Sequence, residues 1–354
     1  MKTQRITLLV SFLLIVSASN GQVKYSNEFL SIGVGARGLS MAGAQVATVN
    51  DATSGYWNPA GILGVQSDVE VAAMHSEYFA GIAKYDFGSF VVKRDATKAI
   101  AFTIIRFGVD DIPDTTDLID ASGNINYDNL KSFSSADYAF MFSYAKAAKI
   151  PGLSYGGSAK VIDRIVGNFA HAWGFGLDFG AQYQKGKWRF GALGQDITST
   201  FNAWSFNTAL LSPVFSITNN AIPANSVEVT LPKLILGGGY QTNISNKITW
   251  LTELDLVSTF DGRRNTVVSS NPLSIDPRIG LEFCYDNFIY LRGGVGNVQT
   301  VTNLDLSKST VFQPNLGVGF KLKNLTIDYA LTNIGDALYS NVFSLKLDIN
   351  KHKK

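Results

Sequence analysis

Few residues of this chain are spaced for chemistry, and the most conspicuous lie in one stretch, Phe29 to Leu63. Gly33, Gly35 and Gly38 have the GxGxxG spacing with which backbone amides approach a pyrophosphate. That chemistry needs a preceding strand and a following helix in a βαβ unit. No such unit surrounds these glycines, so they are read as sites where backbone packs closely against a wall. Arg37 stands among them. Gly43, the pair Asn50-Asp51, Trp57 and Asn58-Pro59-Ala60-Gly61 follow. Trp57 suits either a binding pocket or an aromatic anchor.

Catalysis finds little support elsewhere. The three histidines are His75, His171 and His352. None stands in a spacing that identifies a serine partner for acyl transfer. Asp110, Asp111, Asp114, Asp117, Asp120 and Asp128 form an acidic run with Pro113. Carboxylates suit calcium, but this spacing is not that of an EF-hand, and a solvated loop is the expectation. The single cysteine, Cys284, cannot form an internal disulfide and reads as a small strand residue. The sequence therefore predicts no catalytic residue, no metal site, no cofactor and no enzyme activity.

The elements that must position these residues follow from composition and period. Lys2 and Arg5 precede an apolar run from Ile6 to Val16, and small residues follow at Ser17, Ala18, Ser19 and Gly21. This is the layout of a signal peptide; cleavage after Gly21 or Ser19 fits, with Gly21 favoured. The run is short for a membrane helix. No cysteine stands at the cleavage point to carry a lipid. In the whole chain of 354 residues, charged residues are 16% and aromatics 12%, with 33 glycines and 9 prolines. Soluble domains carry about 25% charged residues. The net charge of +2 gives no reason to expect nucleic acid as a partner.

From residue 68 onward, segments of strand length alternate in hydrophobicity. His171 to Gln184 is the clearest. Trp173, Phe175, Leu177, Phe179 and Tyr183 take one face, and Gly174, Gly176, Asp178, Gly180 and Gln182 the other. Strands are expected near 68–78, 82–93, 97–108, 135–147, 152–164, 171–184, 187–197, 231–242, 247–257, 275–285, 287–297, 310–322, 324–333 and 339–350. The connections sort into two sets. Short ones, such as Lys185-Gly186 and Lys323, alternate with mostly longer ones, such as Val109 to Ser134 and Thr198 to Thr230. A soluble sandwich also alternates but has no reason to sort its loops. The expectation is an all-β fold: a 14-stranded antiparallel transmembrane β-barrel in an outer membrane, with both termini periplasmic. Residues 1–21 are then the signal peptide, 22–67 an N-terminal hatch inside the lumen, and 68–354 the barrel.

That register turns Asp178, Glu253, Asp255, Arg292, Asp328, Lys346 and Asp348 into the lumen. They pair with each other or with the hatch, or line a polar path. Arg37 is expected to meet one of the inward carboxylates, such as Asp178, Glu253, Asp255 or Asp328.

One resemblance is specific. Gly35-Ala36-Arg37-Gly38, Met41-Ala42-Gly43-Ala44, Asn50-Asp51 and Tyr56-Trp57-Asn58-Pro59-Ala60-Gly61 resemble the N-terminal signature of the PorV/PorQ family of Bacteroidetes outer-membrane proteins, within the wider FadL-like group. The match covers about 35 residues. It implies a barrel with a hatch, and a role as accessory of the type IX secretion system, binding secreted cargo or partner subunits at the outer loops and barrel mouth. FadL-type relatives instead pass hydrophobic small molecules, which is the alternative function. The lipid bilayer is the expected surrounding. The chain departs from many outer-membrane barrels in ending Asn350-Lys351-His352-Lys353-Lys354 rather than on an aromatic residue.

Overall fold

The computed structural model describes residues 26–119, 123–217, 219–335 and 338–350. The segment expected to be a signal peptide, residues 1–21, lies outside them, as do Asp120 and His352. Among the described residues seventeen strands form one antiparallel sheet. They are β1 (Val69–Tyr78), β2 (Ala83–Asp95), β3 (Lys98–Asp114), β4 (Lys131–Ala147), β5 (Leu153–Val166), β6 (Ala170–Lys185), β7 (Trp188–Gln195), β8 (Thr200–Phe206), β9 (Ser226–Thr230), β10 (Lys233–Asn243), β11 (Ile248–Thr259), β12 (Val268–Ser269), β13 (Ser274–Tyr285), β14 (Ile289–Thr302), β15 (Lys308–Leu322), β16 (Leu325–Gly335) and β17 (Leu338–Ile349).

The sheet closes because β1 pairs with both β2 and β17. The result is a closed 14-stranded antiparallel barrel. Closure leaves no free sheet edge, so the strand backbones find partners within the wall. Alternation sets the two faces. On β6, Trp173, Phe175 and Phe179 are exposed outward, while Ala172 and Asp178 are buried inward.

Three strands stand outside the predicted fourteen. β12 is a two-residue addition beside β13. β8 and β9 extend β7 and β10 upward: the lower part of β6 pairs with β7 and the upper part with β8. The wall is interrupted between them at Asp196 and Ser199, both at positive φ, and across from them at Leu231-Pro232. Proline has no amide to give a ladder, which fits an interruption. The Ile197 amide still donates to the Leu177 carbonyl at 2.9 Å. A ten-residue helix, α3 (Thr208–Ile217), crosses between β8 and β9.

Short connections at 96–97, 148–152, 186–187, 244–247, 286–288 and 323–324 define one rim. At the other rim the predicted loops 109–134 and 298–309 are partly strand, since β3 and β4 run on to Asp114 and Lys131, and β14 and β15 to Thr302 and Lys308. Polar residues occupy both faces there, so the alternation fades while the ladder continues.

The described chain ahead of β1, residues 26–68, lies inside the ring. It holds two short helices, α1 (Ala36–Ser40) and α2 (Ser54–Trp57), with 3₁₀ turns at Glu28–Ser31 and Pro59–Gly64. Val34, Ala36, Met41, Ala44, Val49, Ala52 and Ile62 are fully or almost fully buried. Among the described residues no helix is long and apolar enough to cross a membrane, which says nothing of strands.

Candidate functional site

The inner segment is built around Trp57. Its indole Nε1 donates to the Val34 carbonyl at 2.9 Å, and Tyr56 meets it edge-on at 4.8 Å. Gly33, Gly38 and Gly43 pack on this ring. A Cβ would lie 2.9 Å from Trp57 Cη2 at Gly33 and 2.7 Å from Nε1 at Gly38. This corrects the expectation that Gly33 and Gly38 face the wall: they make room for Trp57 within the segment, whereas Gly43 faces both Trp57 and Arg278 of the wall. Gly35 has φ 77, a conformation that favours glycine, and its amide donates to Met74 Sδ.

The glycines that admit the segment belong to the wall. A Cβ on Gly280 would lie 2.7 Å from Met41 Cβ, and one on Gly156 2.7 Å from the Pro59 carbonyl carbon. Gly191, Gly237, Gly294 and Gly317 likewise face Val46, Met41 or Ser40 with no space for a side chain. Asn58 ties the two parts together. Its Nδ2 donates to the carbonyls of Val46 at 2.8 Å and Ala181 at 3.1 Å, and its Oδ1 caps Ala60 N ahead of Pro59.

The inward charges divide by partner. Asp255 accepts from the amides of Gln45 and Val46 at 2.9 and 3.0 Å. Glu253 accepts from Ala47 N at 2.6 Å and from the Thr48 hydroxyl. Glu70, which the sequence reading passed over, accepts from Ala52 N at 2.6 Å. Asp178 meets Lys160 at 2.8 Å, and Lys160 also meets Asp196 at 2.5 Å, bracing the interruption of the wall. Lys346 reaches Asp51 at 3.2 Å. Asp348 holds Ser67 at 3.1 Å and Lys321 at 3.3 Å. Burial alone would raise the Asp51 carboxyl. Lys346, Arg37 and the bonds from Thr53 outweigh it and hold the carboxyl below its usual range.

Arg37 does not pair with Asp178, Glu253, Asp255 or Asp328. Its Nε meets Glu282 at 2.9 Å, and its Nη1 donates to Gln45. Glu282 is shared with Arg292 at 2.6 Å, and Arg292 meets Asp328 at 2.6 Å. A signal for Glu282 was present: on β13, Ile279, Leu281, Phe283 and Tyr285 turn outward, so Asp276, Arg278, Gly280 and Glu282 must turn inward.

The inner segment divides the lumen. Toward the short-turn rim lies a chamber of about 240 Å³, lined by Arg37, Asn50, Asp51, Glu282, Arg292, Lys346 and Cys284 among others. Toward the other rim lies a vestibule of about 930 Å³. Its floor is Phe29, Ile32, Leu39 and Trp57, and its walls carry Phe107, Arg164, Lys233, Asp276, Arg278, Asn297 and Gln313. Trp57 thus both organises the segment and touches the vestibule.

The remaining candidates stand apart from both chambers. His75 turns outward and meets Asp86 at 2.7 Å; His171 meets Asp163 at 2.6 Å. Asp110 pairs with Lys84 at 3.0 Å and Asp117 with Lys131 at 3.1 Å, while Asp114 accepts from Thr116. Among the described residues no group of histidine, cysteine and carboxylate side chains could hold a metal ion.

Solved structures share this architecture. The CymD monoaromatic hydrocarbon channel matches with a TM-score of 0.58 at 13% identity, over 91% of this chain and 99% of that one. The Ralstonia pickettii toluene transporter TbuX matches at 0.57 and 13%, over 90% and 99%. A Pseudomonas aeruginosa FadL homologue matches at 0.52 and 11%, over 89% and 98%. The fold is that of the FadL-type barrels. At these identities the likeness is one of fold. No protein-family model matches the sequence, and no curated protein matches it.

Proposed function

We propose that this chain is an outer-membrane barrel that admits small molecules with a substantial apolar part through the vestibule and past a displaceable hatch. The observation that carries this reading is the vestibule of about 930 Å³ over an apolar floor of Phe29, Ile32, Leu39 and Trp57. The shared fold with proteins described as hydrocarbon channels and toluene transporters supports it. In this reading residues 1–21 are a signal peptide, 22–67 the hatch and 68–354 the barrel. The short-turn rim and both termini face the periplasm, and the outward Trp, Phe and Leu residues meet lipid. No chemical step is assigned to the protein.

Membrane fractionation and vesicle uptake test it together. The protein is expected in the outer-membrane fraction, and vesicles holding it are expected to take up toluene or laurate faster than empty ones. Recovery in the soluble periplasm, or uptake no faster than by empty vesicles, overturns the reading.

A second reading, an accessory of type IX secretion, is favoured by the resemblance at Gly35–Gly38, Met41–Ala44, Asn50-Asp51 and Tyr56–Gly61. Several of those residues are occupied in building the inner segment: Gly38 and Gly43 pack on Trp57, and Asn58 ties it to the wall. The motif therefore accounts for a hatch without requiring a secretion partner. Purification from native membranes decides between the two. Secretion components or cargo retained on the protein would favour the second.

A further inference from the structure

One side of the vestibule is a wall of neutral amides. Asn297 and Gln299 on β14, Gln313 and Asn315 on β15 and Asn333 on β16 all line the cavity. Shifts of register put three of them there. On β14 the ladder slips between Gly296 and Gln299, with Asn297 at φ 51. Plain alternation from Gly294 and Gly296, which face the inner segment and the cavity, would turn Asn297 and Gln299 outward; the bulge turns both inward. On β16 the ladder slips between Asn333 and Gly335, and Asn333 borders the cavity together with Thr332 and Ile334. Between these two strands β15 presents Gln313 and Asn315 on its inward face.

Bonds to the backbone set which end of each amide is free. Asn315 Oδ1 accepts from the Asn333 amide at 2.8 Å, and Asn333 Oδ1 from the Gly335 amide at 3.1 Å. A backbone N–H needs an oxygen, so Nδ2 is the end left over in both. Asn297 Oδ1 accepts from Gln299 Nε2 at 2.7 Å, which leaves its own Nδ2 and Gln299 Oε1. The Gln313 side chain bonds to nothing among the described residues. All five residues are half-buried, and none of their free nitrogens or oxygens is closed off from the cavity. Neighbouring strands lie about 4.8 Å apart, so the three strands spread these groups over roughly 10 Å. The wall carries no charge of its own. Arg278, beside Gly296, is held by Asp276 at 3.1 Å.

The arrangement discriminates between ligands. A hydrocarbon rests on the floor of Phe29, Ile32 and Leu39 but strips water from the amides and returns no bond. A carboxylate accepts from them, yet none of the five carries the charge that would offset its desolvation. A set of neutral hydroxyls accepts from Asn297, Asn315 and Asn333 and donates to Gln299, and Gln313 meets either role. We infer that the vestibule binds neutral polyhydroxylated amphiphiles, of the class of alkyl and aryl glycosides. The sugar bonds to the amide wall, and the apolar aglycone lies over Phe29, Ile32 and Leu39. Phe79, 51% exposed and bordering the same cavity, offers its ring to the C–H face of the sugar. This rests on the reading that the vestibule is the ligand chamber.

Calorimetric titration of the full-length protein in phosphatidylcholine nanodiscs tests it, with empty nanodiscs subtracted and no sugar-headed detergent present to compete. The probes are phenyl β-glucoside, glucose, toluene and laurate. The glucoside is expected to bind, and glucose, which lacks the aglycone, to bind roughly tenfold more weakly or worse. Gln313→Leu breaks no side-chain bond within the protein. It should weaken the glucoside roughly tenfold and leave toluene unchanged. Asn297→Gly removes a second amide at a φ that suits glycine, so the bulge keeps its shape, and the same split is expected. Unchanged glucoside affinity in both variants overturns the inference, as does equal binding of glucose and the glucoside. Binding of toluene or laurate without the glucoside overturns it while leaving the channel reading intact. Binding of no probe overturns both.

Discussion

The inner segment meets the barrel differently on its two faces. Toward the short-turn rim the contact is ionic: Arg37 with Glu282, Asp51 with Lys346, and Arg292 joining Glu282 to Asp328. Toward the other rim Phe29, Leu39 and Trp57 end in a cavity, and polar groups on the wall beside it stay unpaired. Apolar contact is non-directional and tolerates sliding. A buried ion pair does not, because separating it strands a desolvated charge. The face toward the short-turn rim therefore fixes where the segment sits; toward the other rim Asn27 is held by Thr230 and Asn202, and the vestibule beside it stays open. Several substitutions would break that contrast or sharpen it.

The largest effect is expected where the wall leaves no space. Gly294 faces the Met41 backbone, so Gly294→Leu should expel the segment and open the lumen. Vesicles holding the variant should leak small solutes continuously. Gly293, its neighbour, turns the other way, and a Cβ there meets Leu316 at 3.6 Å and the Asn315 carbonyl at 3.8 Å, both ordinary contacts. Gly293→Leu should stay sealed. Equal leakage from the two variants would sink the proposed fit. Trp57→Ala comes next. Removing a buried aromatic side chain costs about 3–5 kcal/mol, and the glycines around this one cannot fill the gap. Protease should then cut between residues 26 and 67 in an otherwise intact barrel.

Much of the wall was legible in the sequence because outward Trp173, Phe175 and Phe179 alternate with small or polar inward residues. The rims were less so. Above the apolar belt β3 and β4 carry polar residues on both faces beside the Ile112–Phe133 pair, and period-two contrast weakens while hydrogen bonding continues. The interruption between β7 and β8 was also hidden. Asp196 falls within the strand expected near 187–197, and its partner Lys160 is distant in sequence. The inner segment was legible as a compact glycine-rich unit. What its glycines pack against was not, since spacing alone does not distinguish the barrel wall from an indole within the same segment. The vestibule amides Gln313 and Asn315 could have been placed inward by alternation on β15. The register shifts that turn Asn297 and Asn333 in beside them could not.

The contrast between faces sharpens with matched carboxamide substitutions. Glu282→Gln leaves Arg37 and Arg292 converging without their shared carboxylate, although each keeps another acceptor, Gln45 and Asp328. Breaking a buried pair in this way should lower the stability of the segment by about 3 kcal/mol. Asp276→Asn removes a carboxylate of similar burial from the vestibule wall, but Asp276 contacts no atom of the segment through a hydrogen bond or ion pair among those described. Its effect on the segment should stay below about 1 kcal/mol. Limited proteolysis in urea, with the cut site mapped to residues 26–67, measures both. Similar losses would mean that the two faces hold the segment alike.

The smallest effect is one of pH, and it belongs to the ionic face. The Asp51 carboxyl is held below its usual range because Lys346, Arg37 and Thr53 outweigh the cost of burial. A carboxyl depressed in the folded state contributes stability above its unfolded pKa, near 4, and loses it as pH falls through the lower folded value. Acidification from about pH 5 to about pH 3 should therefore loosen the segment by roughly 1 kcal/mol. Pepsin, active in that range, should cut the segment faster at the acid end. Asp51→Asn has no carboxyl to protonate, so its cutting rate should change less over the same interval, after correction for the enzyme's own pH profile. An unchanged acid response in that variant would move the titration to another carboxylate of the chamber toward the short-turn rim, with Glu282 the next to substitute.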